Sequence, residues 1–146
     1  MKTSYRKASE IDEPHIRALL EEAQLHTESL GGKITEFFLA EQGGVIIGVS
    51  GFEYYGDDAL LRSVAVRANQ RNNGTGSAMV DWMISHAKER HTKRVVLLTN
   101  TAREFFEKKG FAVVNRSMID NEAMKKSSEF AYLCSPSTTT MMLNLT

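Results

Sequence analysis

The stretch of the 146-residue chain richest in chemistry is Val64-Ala65-Val66-Arg67-Ala68-Asn69-Gln70-Arg71-Asn72-Asn73-Gly74-Thr75-Gly76. An apolar strand pattern runs into a basic loop, and the loop opens directly onto an amphipathic helical pattern. The first N–H groups of a helix have no intrahelical partner, and the macrodipole adds partial positive charge there. Glycines at 74 and 76 let an oxyanion approach the backbone, while Arg67 and Arg71 add formal charge. Together these features describe a cradle for a pyrophosphate. The same string also reads as an ordinary turn before a helix, because short glycine motifs recur by chance. It is not a Walker loop, since no Gly-Lys-Ser/Thr follows, and it is not a dinucleotide fingerprint, since G-x-G-x-x-G is absent.

The elements that must hold this loop follow from periodicity. A strand is expected over residues 3–8. Asp12-Glu13-Pro14 starts a helix, with Asp12 as its cap and Ile16, Leu19, Leu20 and Ala23 facing inward. A second short helix near 26–30 ends at Gly31-Gly32. Strands over 36–41, 45–55 and 59–66 form an antiparallel meander through the turns Gln42-Gly43-Gly44 and Gly56-Asp57-Asp58. The helix after the loop buries Gly76, Met79, Val80, Met83 and Ala87. Val95 to Leu98 shows no alternation and predicts a strand buried on both faces. Next come a helix over 101–109 stopped by Gly110, a strand over 111–115 and a helix over 120–128. A tail with Met141, Met142, Leu143 and Leu145 supplies a last strand. This order predicts one mixed α/β domain over 1–146, with the strands at 59–66 and 94–99 parallel.

Composition narrows the partners. Lys plus Arg and Asp plus Glu are each 18, giving zero net charge, so there is no global attraction to nucleic acid or an anionic membrane. A bound anion must be held by a local site. The single cysteine, Cys134, allows no internal disulfide and suits a reducing, cytoplasmic setting. No apolar run approaches the roughly 20 residues of a membrane span, and the start Met1-Lys2-Thr3-Ser4-Tyr5-Arg6 leads into no apolar signal region. His86 and His91 point apart on a helix, and no metal-ligand spacing is present, so no metal is expected and both histidines are read as surface residues. The run from Lys88 to Arg94 reads as a solvated helix C-terminus.

Leu61-x-Ser63-Val64-Ala65-Val66, then Arg71-x-x-Gly74-x-Gly76, then Ala102-x-x-Phe105-Phe106 and Gly110-Phe111 resemble the GNAT superfamily of acyl-CoA-dependent N-acetyltransferases, over residues 3 to about 115. The resemblance implies a mostly antiparallel mixed sheet with helices on both faces. The fourth strand would splay from the fifth, and the pantetheine arm of acetyl-CoA would lie in the gap. By motif, Val64, Ala65 and Val66 form the strand whose backbone bonds the pantetheine. The Val64 N–H polarises the thioester carbonyl. The N–H groups of Arg71, Asn72, Asn73, Gly74, Thr75 and Gly76 hold the pyrophosphate, and Thr99 and Phe106 complete the cofactor side. Two positions depart from the family pattern. Thr99, with Asn100 beside it, stands where Asn is frequent. Phe106 stands where a Tyr often protonates the leaving thiolate. Either water or another group does so here, or the thiolate leaves unprotonated.

Gly51 to Val66, together with Ser128-Glu129-Phe130-Ala131 and Leu133-Cys134, is similar to the arsenic-resistance N-acetyltransferase group. That similarity implies a small amino-acid-like acceptor carrying an anionic group, and it adds Ser128 and Glu129 to the substrate side. Homodimers formed through the C-terminal strands are implied by the superfamily resemblance alone.

An amine must be neutral to attack a thioester, so a general base is expected. Glu53, in Gly-Phe-Glu-Tyr-Tyr, is the first candidate; the alternative is a solvent-facing strand-end carboxylate. Arg62, on an inner strand, either binds the acceptor's anionic end or pairs with Glu53 or another carboxylate. Ser63 either contacts the acceptor or faces outward. Tyr54 and Tyr55 line the pocket or simply pack. Cys134 is a small buried hydrophobe or a functional thiol. Two other function classes remain open. One is a non-catalytic acyl-CoA-binding or sensing module, motivated by Phe106 and Thr99. The other is an interaction protein with an empty site.

Overall fold

A computed structural model describes residues 2–27, 35–133, 135 and 137–146. The helix expected near 26–30 lies almost wholly outside these residues, and Gly31-Gly32 and Cys134 lie outside them entirely. Seven strands form one mixed sheet in the order β1-β2-β3-β4-β5-β7-β6. The chain divides into two compact units, Met1–Glu53 with Ser63–Met83, and Tyr54–Arg62 with Ile84–Thr146.

In the first unit, β1 (Thr3–Lys7), β2 (Thr35–Gln42) and β3 (Val45–Tyr55) are antiparallel neighbours. α1 (Glu13–Glu22) buries Ile16, Leu19 and Leu20 against Leu39, Val49 and Ala65. The next strand residue, Ala40, joins a separate cluster with Ile47 and Met79, against which Val64 and Val66 pack. Adjacent residues thus feed different clusters, as alternating strand side chains must. Trp82 stacks on Tyr5 with centroids 5.3 Å apart and meets Phe38 at 5.1 Å. Asp12 precedes α1 but does not cap it with its side chain. Its carboxylate instead accepts from the Arg6 guanidinium at 2.8 and 2.9 Å and from the Ser9 N–H at 2.8 Å. The Arg6 guanidinium and the Ser9 N–H take up these oxygens in place of the helix-start N–H groups.

In the second unit, the first residues of β4 (Asp58–Val66) pair in parallel with β5 (Arg94–Thr99). The tail strand β7 (Thr139–Asn144) inserts between β5 and the short β6 (Ala112–Val114), antiparallel to both. Val95 to Leu98 are buried, as their lack of alternation predicts. Leu60, Val96, Leu98, Ile119, Met124 and Phe130 form the core. α3 (Arg103–Lys108) stops before Gly110, which has φ 99°. The helix expected over 120–128 is two short ones, α4 (Glu122–Lys125) and α5 (Ser128–Tyr132). Ser127 divides them by taking extended backbone and accepting the Phe130 N–H on its hydroxyl at 3.3 Å, a helix start in its own right. The buried Asp58 carboxylate accepts from Arg94 at 2.7 Å and from Asn121 at 3.1 Å; Asn121 also donates to the Tyr55 carbonyl.

α2 (Thr75–Glu89) is the fifteen-residue helix that the apolar spacing predicts. Met79, Val80, Met83 and Ala87 are buried. His91 is exposed, whereas His86 is half-buried because it flanks that apolar stripe. Arg90 at the helix end lies 3.8 Å over the Tyr54 ring, a cation–π contact that gives Tyr54 a packing role.

Candidate active site

The parallel register joins Asp58, Ala59 and Leu60 to Arg94, Val95 and Val96, and β4 then runs on to Val66. Its course changes at Ser63, whose φ of 58° is left-handed, an uncommon state for a residue with a Cβ. Ser63 is only 9 % exposed, so it does not face outward. Gly48 lets β3 pass close to β4, since a Cβ there would sit 3.2 Å from the Ala65 carbonyl oxygen and 3.3 Å from the Met79 sulfur.

Beyond β4, the chain is tied down by its arginines. Arg67 donates from Nε to the Ile46 carbonyl at 2.6 Å, and its N–H bonds the Ile47 carbonyl at 2.9 Å. Arg71 donates from Nε to the Val66 carbonyl at 3.1 Å and lies 4.0 Å from the Glu22 carboxylate. Glu22 also accepts the Ala68 N–H at 2.6 Å. Sequence reasoning missed Glu22, because a contact spanning 46 positions leaves no local pattern.

Gly74 then caps α2. Its carbonyl accepts the Ala78 N–H at 3.0 Å, its φ is 80°, and a Cβ there would meet nothing within 4 Å. With no side-chain oxygen at this cap, glycine leaves the helix-start donors to an external acceptor. The surroundings of Arg71, Asn72, Asn73, Gly74, Thr75 and Gly76 therefore suit a pyrophosphate on donor set, space and dipole sign.

Glu53, on β3, is 3 % exposed, so it is not a solvent-facing strand end. Its register partner Thr35 donates its hydroxyl to Glu53 Oε2 at 2.7 Å. Thr35, too, was not among the residues singled out from sequence.

In the second unit, the Arg62 and Glu129 side chains are both almost fully buried, with Nε and Oε1 4.0 Å apart; Arg62 also reaches the Ser128 hydroxyl at 3.4 Å. Glu129, placed on the substrate side by resemblance, is thus one carboxylate beside Arg62. Thr99 Oγ1 accepts the N–H groups of Thr101 and Ala102 at 3.3 and 3.0 Å and so organises the turn into α3. Phe106 is buried, edge-on to Phe105 and Phe111. Among the described residues, no group of three or more His, Cys, Asp or Glu is arranged to hold a metal, and no helix is long and apolar enough to cross a membrane.

The model of the acetyltransferase (GNAT) domain family matches residues 33–113, more than half of the chain. The chain belongs to the GNAT acetyltransferase domain family. Solved structures share this GNAT fold along its whole length. The N-acetylglutamate synthase of Neisseria gonorrhoeae, complexed with coenzyme A and N-acetyl-glutamate, aligns with TM-score 0.84 and 24% identity over 100% of this chain and 36% of its own. The present GNAT domain thus spans about a third of that enzyme's chain. Rv2747 of Mycobacterium tuberculosis, in complex with CoA, aligns with TM-score 0.78 and 24% identity over 98% of this chain and 99% of its own. A GNAT-family acetyltransferase of Staphylococcus aureus Mu50 gives TM-score 0.79 and 17% identity over 99% and 100%.

Proposed function

We propose that this GNAT domain transfers an acetyl group from acetyl-CoA directly to the primary amine of a small, amino-acid-like acceptor bearing an anionic group. The observation that carries this reading is the glycine-capped start of α2, placed directly after a β4 whose registered pairing with β5 ends at Leu60. The Neisseria enzyme's complex with coenzyme A and N-acetyl-glutamate supports an amino acid as acceptor. Arsenic-bearing amino acids form a subset of the same class, and the subfamily similarity alone speaks for them. A cytoplasmic location, which suits the single cysteine, and pairing of two copies through C-terminal strands belong to the same proposal.

Bound acetyl-CoA supplies an activated acetyl thioester. The N–H groups of Arg71 through Gly76 hold its pyrophosphate, and the backbone of Val64, Ala65 and Val66 lines its pantetheine arm. The Val64 N–H donates to the thioester oxygen as negative charge develops there. Glu53 accepts the acceptor's ammonium proton, with Thr35 fixing its carboxylate. Arg62, oriented by Glu129 and Ser128, recognises the acceptor's anionic group, and Ser63 contacts the same acceptor. Thr99 positions α3, and Phe106 gives an apolar wall with no proton to donate, so the thiolate leaves unprotonated or takes its proton from water.

The buried Phe106 favours a second reading, an acyl-CoA-binding module without turnover. Thermal unfolding with and without millimolar acetyl-CoA tests the binding that both readings share. A raised midpoint is expected; an unchanged one removes both.

A further inference from the structure

Within the second unit, a cavity of about 380 Å³ is walled by Arg103, Asn115, Arg116, Thr138, Thr139 and Thr140, at the meeting of β6, β7 and the start of α3. A second cavity of about 410 Å³ shares Arg116 and adds Lys125 and Phe130. Neither wall carries a carboxylate. Arg6, Arg17, Arg62, Arg71, Arg94 and Arg103 each have a carboxylate within 4.0 Å. Arg116 differs. Among the described residues it meets neutral groups, donating to the carbonyls of Phe130 at 3.4 Å and of Leu133 and lying 5.2 Å from the Phe130 ring. These contacts fix the guanidinium without neutralising it, and a half-buried charge gains from an anion beside it. Asn115 adds donors. It lines the first cavity, and its Oδ1 accepts the N–H and hydroxyl of Ser117 at 3.0 and 2.9 Å, which leaves its NH₂ group uncommitted to that turn.

We propose that Arg116, with Arg103 and Asn115, forms a binding site for a small molecule carrying a carboxylate or phosphate, a site that shares no residue with the acetyl-CoA cradle. The first cavity is of a size for such a ligand, and Val113 and Val114 give it an apolar side for the ligand's carbon skeleton. The inference does not rest on the acetyltransferase reading.

The test is titration of inorganic phosphate and of succinate into the isotope-labelled full chain, followed by backbone amide NMR, with and without saturating acetyl-CoA. Saturable millimolar binding that shifts the amides of Asn115, Arg116 and Thr139 and persists beside acetyl-CoA supports the site. The tighter of the two probes identifies phosphate or carboxylate as the recognised group. Arg116→Gln and the exposed Arg103→Gln, which leaves the fold intact, each weaken that binding about tenfold. Absence of saturable shifts, wild-type affinity in both variants, or loss of the shifts when acetyl-CoA is present overturns it.

Discussion

Thr35 and Glu53 face each other across β2 and β3, and the threonine hydroxyl donates to the buried carboxylate at 2.7 Å. A strand-to-strand register partner holds the side chain more firmly than a loop would. This fixes one oxygen of Glu53.

Glu53→Gln keeps the shape and removes the base. Turnover is expected to fall about a hundredfold or more, with a smaller change in KM. Thr35→Val should lower turnover less, and Thr35→Ser should restore it. Steady-state kinetics with a saturating amine check this, and an unchanged rate in Glu53→Gln removes Glu53 from the mechanism.

Gly76→Asp places a carboxylate where the pyrophosphate is expected. Its Cβ would lie 3.6 Å from Val66, an ordinary contact, and an acid in the first helical turn does not oppose folding. The variant should unfold near the wild-type midpoint yet lose its stabilisation by acetyl-CoA. Gly74→Asp should also lose that stabilisation, but at a folding cost of about 1 kcal/mol or more from φ 80°. Parallel thermal scans distinguish the two.

Arg6, and then the Ser9 N–H, hold the Asp12 carboxyl well below its usual range. The ionised carboxylate therefore favours the folded state. That contribution is complete above the ordinary carboxylate value of about 4 and is lost as pH falls towards the lowered folded value. Asp12→Asn should be less stable than wild type at neutral pH, with the gap closing on acidification. Urea unfolding at several pH values measures it.

Asn121 donates to Asp58 and to the Tyr55 carbonyl and caps α4 at the Met124 N–H. Asn121→Ala should cost about 1–3 kcal/mol, because a buried carboxylate loses a donor. Chemical denaturation is the measurement.

These residues also mark what was legible in the sequence. The hairpin glycines, the apolar stripe of α2 and the unalternated β5 follow from local patterns that burial enforces, and the structure carries them at nearly the expected bounds. Asn121 at a helix start is a local signal, whereas its reach to Asp58, 63 positions earlier, is not. The same holds for Ala68 with Glu22, 46 positions apart. The tail's apolar residues foretold a strand, but its place between β5 and β6 depends on which edges are open in the fold. Ser63 has no residue-type bias towards positive φ, so its backbone reversal in β4 left no trace in the sequence. Glu53 stood out as a carboxylate among apolar neighbours near a strand end, and Arg62 as a charge on an inner strand. Thr35, an unremarkable strand residue by type, was not.

Acetyl transfer itself is read out by free-thiol release of CoA from acetyl-CoA across a panel of amino acids, including glutamate, phosphinothricin and arsenic-bearing analogues, with mass detection of the product. Amine-dependent thiol release together with an N-acetylated acceptor is the expected result, and Glu53→Gln should lose both. Stabilisation by acetyl-CoA with no amine raising thiol release above background hydrolysis would contradict transferase function and leave an acyl-CoA-binding module.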